Sequence, residues 1–180
     1  NYRSCGYRAG WMVVSGEKRH ARDYIEGLNM LASLRLCSNT PGQLAIQTAL
    51  GGYQSIKELV RPGGRLYESR KAIVDAVARS RYLTLTVPRG AMYAFVGVDT
   101  QRLPGFDDRR FAMDLLEHKH VLVAPGTSFN VPYNTHFRVT NLPEPEVLAD
   151  VFCRMEELLD NYAAGDEPVS RPTPLRAVEA

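Results

Sequence analysis

Two arginines stand where a guanidinium would be costly without an anion. Arg8 lies in Gly6-Tyr7-Arg8-Ala9-Gly10-Trp11, directly ahead of the apolar run Trp11-Met12-Val13-Val14. Arg138 lies in Phe137-Arg138-Val139, a strand-like triplet that follows the turn-rich segment 126–135. A lone buried cation is expensive, whereas the planar fork of arginine matches phosphate and carboxylate. Each is therefore an anion site or half of a salt bridge with an acid of this chain, and the residues alone leave that choice even. Other reactive groups say less. His118-Lys119-His120 sets two imidazoles two apart, but no cysteine or carboxylate spacing completes a metal site, so a helix end or strand start at the surface explains them better. Cys5, Cys37 and Cys153 are odd in number, far apart and in no CxxC pair. That argues against a disulfide framework or a zinc site and predicts buried or partly buried free thiols. There is no P-loop, no GxGxxG after a strand, no GxSxG and no HExxH, so generic motifs name no chemistry.

The elements that must position these groups follow from the period of apolar residues. Trp11–Val14 reads as a short buried strand. From Glu17 to about Leu36, Ala21, Ile25, Leu28 and Ala32 form one helical stripe, with Lys18, Arg19, His20 and Arg22 as its solvated face. Thr40-Pro41-Gly42-Gln43 carries the pattern of a capping box with proline at the first helical position, predicting a helix from Pro41 to about Leu59. Arg61-Pro62-Gly63-Gly64 breaks the chain, and Leu66, Ile73, Val74 and Val77 line a helix from about Gly64 to Ser80. Strands are expected over Leu83–Val87 and Ala91–Val98, joined as a hairpin, then a helix Arg109–His118 capped at Asp107-Asp108. Strands Val121–Ala124 and Phe137–Thr140 come next. A last helix from about Glu144 to Tyr162 buries Leu148, Val151, Phe152, Met155, Leu158 and Leu159. The tail 163–180 has three prolines and no apolar period, which reads as flexible. The class is mixed α/β.

Composition agrees with a folded protein and excludes several partners. Of 180 residues 44% are hydrophobic and 23% charged, and 22 basic against 20 acidic side chains leave a charge of +2. Nothing in that balance calls for nucleic acid or a membrane surface. No apolar run reaches the roughly 18 residues of a membrane span, so a soluble, cytoplasmic protein is expected. The chain opens at Asn1 without methionine, and its first 60 or so residues hold two long helices and one strand, too little sheet to cover them. It reads as the back part of something longer.

A resemblance decides between the readings of the arginines. Residues 1–11, Asn1 to Trp11, look like the segment directly after the cofactor lysine in class I pyridoxal-phosphate aminotransferases of fold type I, where an arginine follows the lysine by eight. Residues 24–32, 35–41 and 45–52 resemble the bacterial glutamate-pyruvate, or alanine, aminotransferase branch. So do the hairpin Pro88-Arg89-Gly90-Ala91-Met92-Tyr93-Ala94-Phe95 and the turn Gly126-Thr127-Ser128-Phe129-Asn130. The resemblance covers residues 1 to 162.

It implies an α/β fold in two parts: the C-terminal part of a large cofactor-binding domain over 1–61, and a small domain over 62–162. Arg8 would bind the phosphate of pyridoxal 5'-phosphate. Arg138 would grip the α-carboxylate of an amino acid. The Schiff-base lysine is expected immediately before Asn1, so no catalytic residue is expected within the chain. Ser38-Asn39 resembles the segment that approaches a neighbouring subunit's site, which implies a homodimer. Relatives that take dicarboxylic substrates carry an arginine four residues before that serine, where this chain has Leu34. That favours a small apolar donor such as alanine, although Arg35 is adjacent and glutamate must bind at some stage. The resemblance to the glutamate-pyruvate branch is what implies 2-oxoglutarate as acceptor. Tyr93 reads as a core or hinge aromatic or as part of the site's mouth. The rival readings are another donor (aspartate, valine or an aromatic amino acid), the sensing domain of a transcription regulator, or a dimerisation scaffold.

Overall fold

The computed structural model describes residue 2 and residues 5–166. Most of the tail, 167–180, lies outside the described residues, as do residues 1, 3 and 4. Contacts divide the chain into two units, one ending at Glu58 and the other beginning at Leu59.

The first unit is helical. A 3-10 turn, Cys5–Tyr7, is followed by extended chain, a second 3-10 turn at Lys18–Ala21, helix α1 (Arg22–Arg35), α2 (Thr40–Gly51) and the single turn α3 (Ile56–Leu59). The strand expected at Trp11–Val14 is absent, and Trp11, Met12 and Val13 are well exposed. A strand needs a partner for its N–H and C=O groups, and no described segment of this unit offers one. The α2 cap also differs from expectation. Asn39, one residue earlier than Thr40, accepts the Gly42 amide at 3.0 Å and starts the helix at Thr40. Gly51 ends α2 well before Leu59.

The second unit is a four-stranded antiparallel sheet, order β1-β2-β4-β3, with helices on one face. Helix α4 (Arg65–Arg79) leads into β1 (Leu83–Leu85) and β2 (Tyr93–Val98), which pair with Leu83 opposite Val98. Then come α5 (Asp108–Lys119), β3 (Ala124–Pro125), a 3-10 turn Gly126–Phe129, β4 (His136–Thr140) and α6 (Pro145–Ala164). The strand expected over Val121–Ala124 is reduced to two residues, although Val121 and Val123 are buried. Alternate strand residues face opposite sides. Leu83, Ala94, Val96, Val98, Phe137 and Val139 point into a core with Ile73 and Val77 of α4, Phe111 and Leu115 of α5, and Phe152, Met155, Leu158 and Leu159 of α6. Burying each large side chain contributes about 1.5–3 kcal/mol, which makes the three helix stripes the main stabilising term of this unit. Tyr93, Phe95, Gly97, His136 and Arg138 alternate onto the other face.

Polar latches fix the layers. Ser69, fully buried on α4, donates to Pro143 O at 2.7 Å, and Arg65 Nη1 donates to Leu142 O at 2.6 Å. At the far end Arg81 pairs with Asp160 of α6, and Ser80 Oγ donates to Glu156 at 2.5 Å. Tyr162 of α6 donates to Asp114 of α5 at 2.6 Å, and burial followed by that bond raises its phenol well above the usual range. None of the described helices is long and apolar enough to cross a membrane.

Candidate functional site

Arg8 sits just past the Cys5–Tyr7 turn in a left-handed conformation, φ 49°. Its amide and its Nη1 both donate to Cys5 O at 3.0 Å, so the side chain curls back over its own turn. Asn39 ties this turn to α2: while Oδ1 caps Gly42, Nδ2 donates to Tyr7 O at 2.5 Å. A Cβ on Gly42 would lie 2.8 Å from that of Ala9, so only glycine lets the two segments approach this closely. Arg8 is exposed rather than set against a buried strand, and none of the described carboxylates pairs with it. Four of its five N–H donors are left for an anion.

Arg138 is central in β4, opposite Phe95 of β2 on one side and Ala124 of β3 on the other. It is half-buried on the helix-free face. Its guanidinium carbon lies 4.4 Å from the centre of the Tyr93 ring and 4.5 Å from that of Phe129. Such contacts stabilise a cation by about 0.5–2 kcal/mol each. Among the described residues no carboxylate pairs with it and no side-chain hydrogen bond leaves it. The salt-bridge alternative is therefore not realised at either arginine among the described groups.

Tyr93 begins β2 opposite Thr140, and Phe129 closes the 3-10 turn ahead of Asn130, whose φ is 59°. Phe129 meets the edge of Phe95 at 6.1 Å and 85°. Its turn is pinned from α5. Asp107 caps that helix by accepting the amides of Arg109 and Arg110, and the Arg110 amide, then the Asn134 side chain, hold its carboxyl below the usual range. Asp108, fully buried, accepts the Thr127 amide at 2.7 Å. Gly126 is buried against β4, where a Cβ would come within 2.5 Å of His136 O.

Along the same face His136 stacks on Phe95 at 5.3 Å and 17°, packs on Tyr133 at 4.7 Å and shares a 3.0 Å bond between Nδ1 and Thr135 Oγ1. Burial pushes its imidazole down from the ordinary value. The patch opens into a hollow of about 560 Å³ between Thr84, Phe95, Tyr133 and His136. An apolar groove of about 740 Å³ lies along β3 and α6, and Arg138 and Tyr93 line it.

Leu34 is on the exposed side of α1, and Arg35 ends that helix. His118 and His120 sit at the end of α5, and no metal-binding group of His, Cys, Asp or Glu occurs among the described residues. All three thiols are free but exposed, contrary to the expected burial. Arg8 and Arg138 belong to different units. The sequence names Asn39 and Tyr93 as candidates near the site, but neither the Asp108 bond to the turn nor the meeting of both rings on Arg138 is legible in it. The turn 126–130 was marked in the sequence, but only the fold puts Phe129 on the guanidinium.

Comparison with known proteins gives this arrangement its context. The aminotransferase class I and II family profile matches residues 1–151. Glutamate-pyruvate aminotransferase AlaA of Escherichia coli is 46% identical over 161 residues, which are 89% of this chain and 40% of that protein. The alanine aminotransferase of Mycobacterium bovis is 44% identical over 161 residues, 89% of this chain and 38% of that protein. Among solved structures, an Escherichia coli aminotransferase superposes with a TM-score of 0.84 at 46% identity, covering 90% of this chain and 40% of that one. The alanine aminotransferase of Pyrococcus furiosus gives 0.66 at 32% identity, covering 76% and 34%. The chain thus spans about 40% of the length of the first of these relatives. The mixed α/β reading and the assignment to fold type I transferases both hold. Because the profile match takes in both units rather than one shared sheet, the chain belongs to the class I and II aminotransferases.

Proposed function

We propose that this chain is the phosphate- and carboxylate-binding part of an aminotransferase that moves an amino group between L-alanine and 2-oxoglutarate, giving pyruvate and L-glutamate. The observation that carries the reading is the guanidinium of Arg138, which meets two aromatic rings and no carboxylate among the described residues, in a family member whose similar proteins bear glutamate-pyruvate and alanine aminotransferase names. Family membership implies pyridoxal 5'-phosphate, which supplies an electron sink when bound. The described residues fit that group: Arg8 is exposed, uses one N–H on Cys5 O and meets no described carboxylate, so its fork suits a phosphate. Arg8 would bind the phosphate in a charge-assisted pair. Arg138 donates to the amino acid's α-carboxylate in a charge-assisted pair and so fixes the direction of the Cα–H bond. Leu34 presents no second cation for a dicarboxylate, which supports alanine as donor. The division into a large-domain part, 1–61, and a small domain, 62–162, belongs to the same reading, as do a homodimer and a cytoplasmic location.

Arg138→Ala in the full-length enzyme tests it. Losing a charge-assisted clamp costs about 2–5 kcal/mol, so kcat/KM for alanine should drop at least about 30-fold. A value within about threefold of the unmodified enzyme would refute the clamp.

A further inference from the structure

The Arg138 guanidinium is held by rings where most partly buried cations are held by carboxylates. Tyr93 and Phe129 approach it at 4.4 and 4.5 Å. A carboxylate in their place would take the fork's N–H donors and cancel its charge. A π face attracts the cation without consuming a directed N–H, so all five donors stay available in the guanidinium plane. The rings also limit how that plane can turn. Arginine carries considerable rotamer entropy, and restricting it before a ligand arrives removes part of the cost of binding.

Both rings are themselves fixed. Tyr93 is set by its β-pairing with Thr140. Phe129 is set by the edge contact with Phe95 and by the Asp108 carboxylate on the Thr127 amide two residues earlier.

We infer that Tyr93 and Phe129 are positioning residues that hold the Arg138 fork edge-on to an incoming α-carboxylate and tighten binding of both the amino acid and the oxo acid. This rests on the reading of Arg138 as the carboxylate clamp. The ligand is any short 2-amino or 2-oxo acid, because the rings act on the arginine and not on the substrate side chain.

The test uses the full-length, cofactor-loaded enzyme with Tyr93→Leu, Tyr93→Phe, Phe129→Leu, Phe129→Tyr and Arg138→Gln. Two readouts are taken: the dissociation constant of propionate by calorimetry, which needs no turnover, and kcat and KM for L-alanine. Each leucine variant is expected to raise the propionate constant and the alanine KM roughly fivefold, by losing one ring–cation contact, with a smaller change in kcat. Tyr93→Phe and Phe129→Tyr, which keep a ring, should recover most of that loss. Far-ultraviolet circular dichroism and the melting temperature separate folding from binding. If Arg138→Gln weakens propionate while both leucine variants bind it as the unmodified enzyme does, the positioning role is wrong and the clamp stands. If Arg138→Gln leaves propionate binding unchanged, both fall. If Tyr93→Phe is as damaging as Tyr93→Leu, the hydroxyl and not the ring acts, and the inference fails for Tyr93.

Discussion

Gly126→Ala should damage the sheet that carries Arg138 without touching any charged group. Gly126 is buried at the start of the 3-10 turn that delivers Phe129, directly after β3. A Cβ there would stand 2.5 Å from His136 O, 3.0 Å from its carbonyl carbon and 3.1 Å from Phe95 Cζ, where real contacts stay at 3.0 Å or more. Relief therefore needs a shift of at least 0.5 Å, the difference between 3.0 and 2.5. The obstructing atom belongs to the backbone of β4, whose His136 is in register with Gly97 of β2. It cannot swing away as a side-chain tip would. Gly126 does not have a positive φ, so the cost is steric rather than conformational. Overpacking of this kind costs about 1–3 kcal/mol. At roughly 2–4 °C per kcal/mol for a mid-sized domain, the melting temperature of the full-length enzyme should drop by at least about 2 °C. The displaced turn should also loosen Phe129 from Arg138, raising the alanine KM. Thermal denaturation followed by circular dichroism, with kinetics on the same samples, measures both. An unchanged melting temperature together with an unchanged KM would show that β4 yields freely there, and the packing argument would be wrong.

Asp108→Ala leaves the Thr127 amide without its 2.7 Å acceptor and should cost about 1–3 kcal/mol in urea unfolding. Asp108→Asn, which retains an acceptor oxygen, should lose clearly less, and equal losses would mean that the charge rather than the hydrogen bond holds the turn. His136 has its imidazole pushed below the ordinary 6.5 by burial. The folded state therefore favours the neutral ring: its contribution to stability is complete above the unfolded value and is lost as pH falls through the lowered folded one. Melting temperatures measured from neutral pH downward should show His136→Phe losing less stability on acidification than the parent, and parallel curves would count against that titration.

How much of this was readable beforehand depended on the range of the interaction. The stripes of α4 and α6 and the Asp107 cap are properties of one helix turn, so periodicity alone placed Leu66, Ile73, Val77, Met155 and Leu158 correctly. Trp11–Val14 shows the opposite case. Its apolar run looks like a strand, but a strand exists only with a hydrogen-bonding neighbour, and no described partner is present. The cap at Asn39 rather than Thr40 turned on a bond to Tyr7, 32 residues away.

The sequence by itself determined the α/β class, the family and the two arginines that suit anions, because helix periods, turn residues and motif spacing are written along the chain. The tertiary structure alone decided that neither arginine spends its charge on a described acid of its own chain, and that Arg138 is instead flanked by Tyr93 and Phe129. Those rings are separated from it by 45 and 9 positions in the chain. They meet because antiparallel pairing sets Phe95 opposite Arg138 while Asp108 draws the 126–129 turn back over the same face.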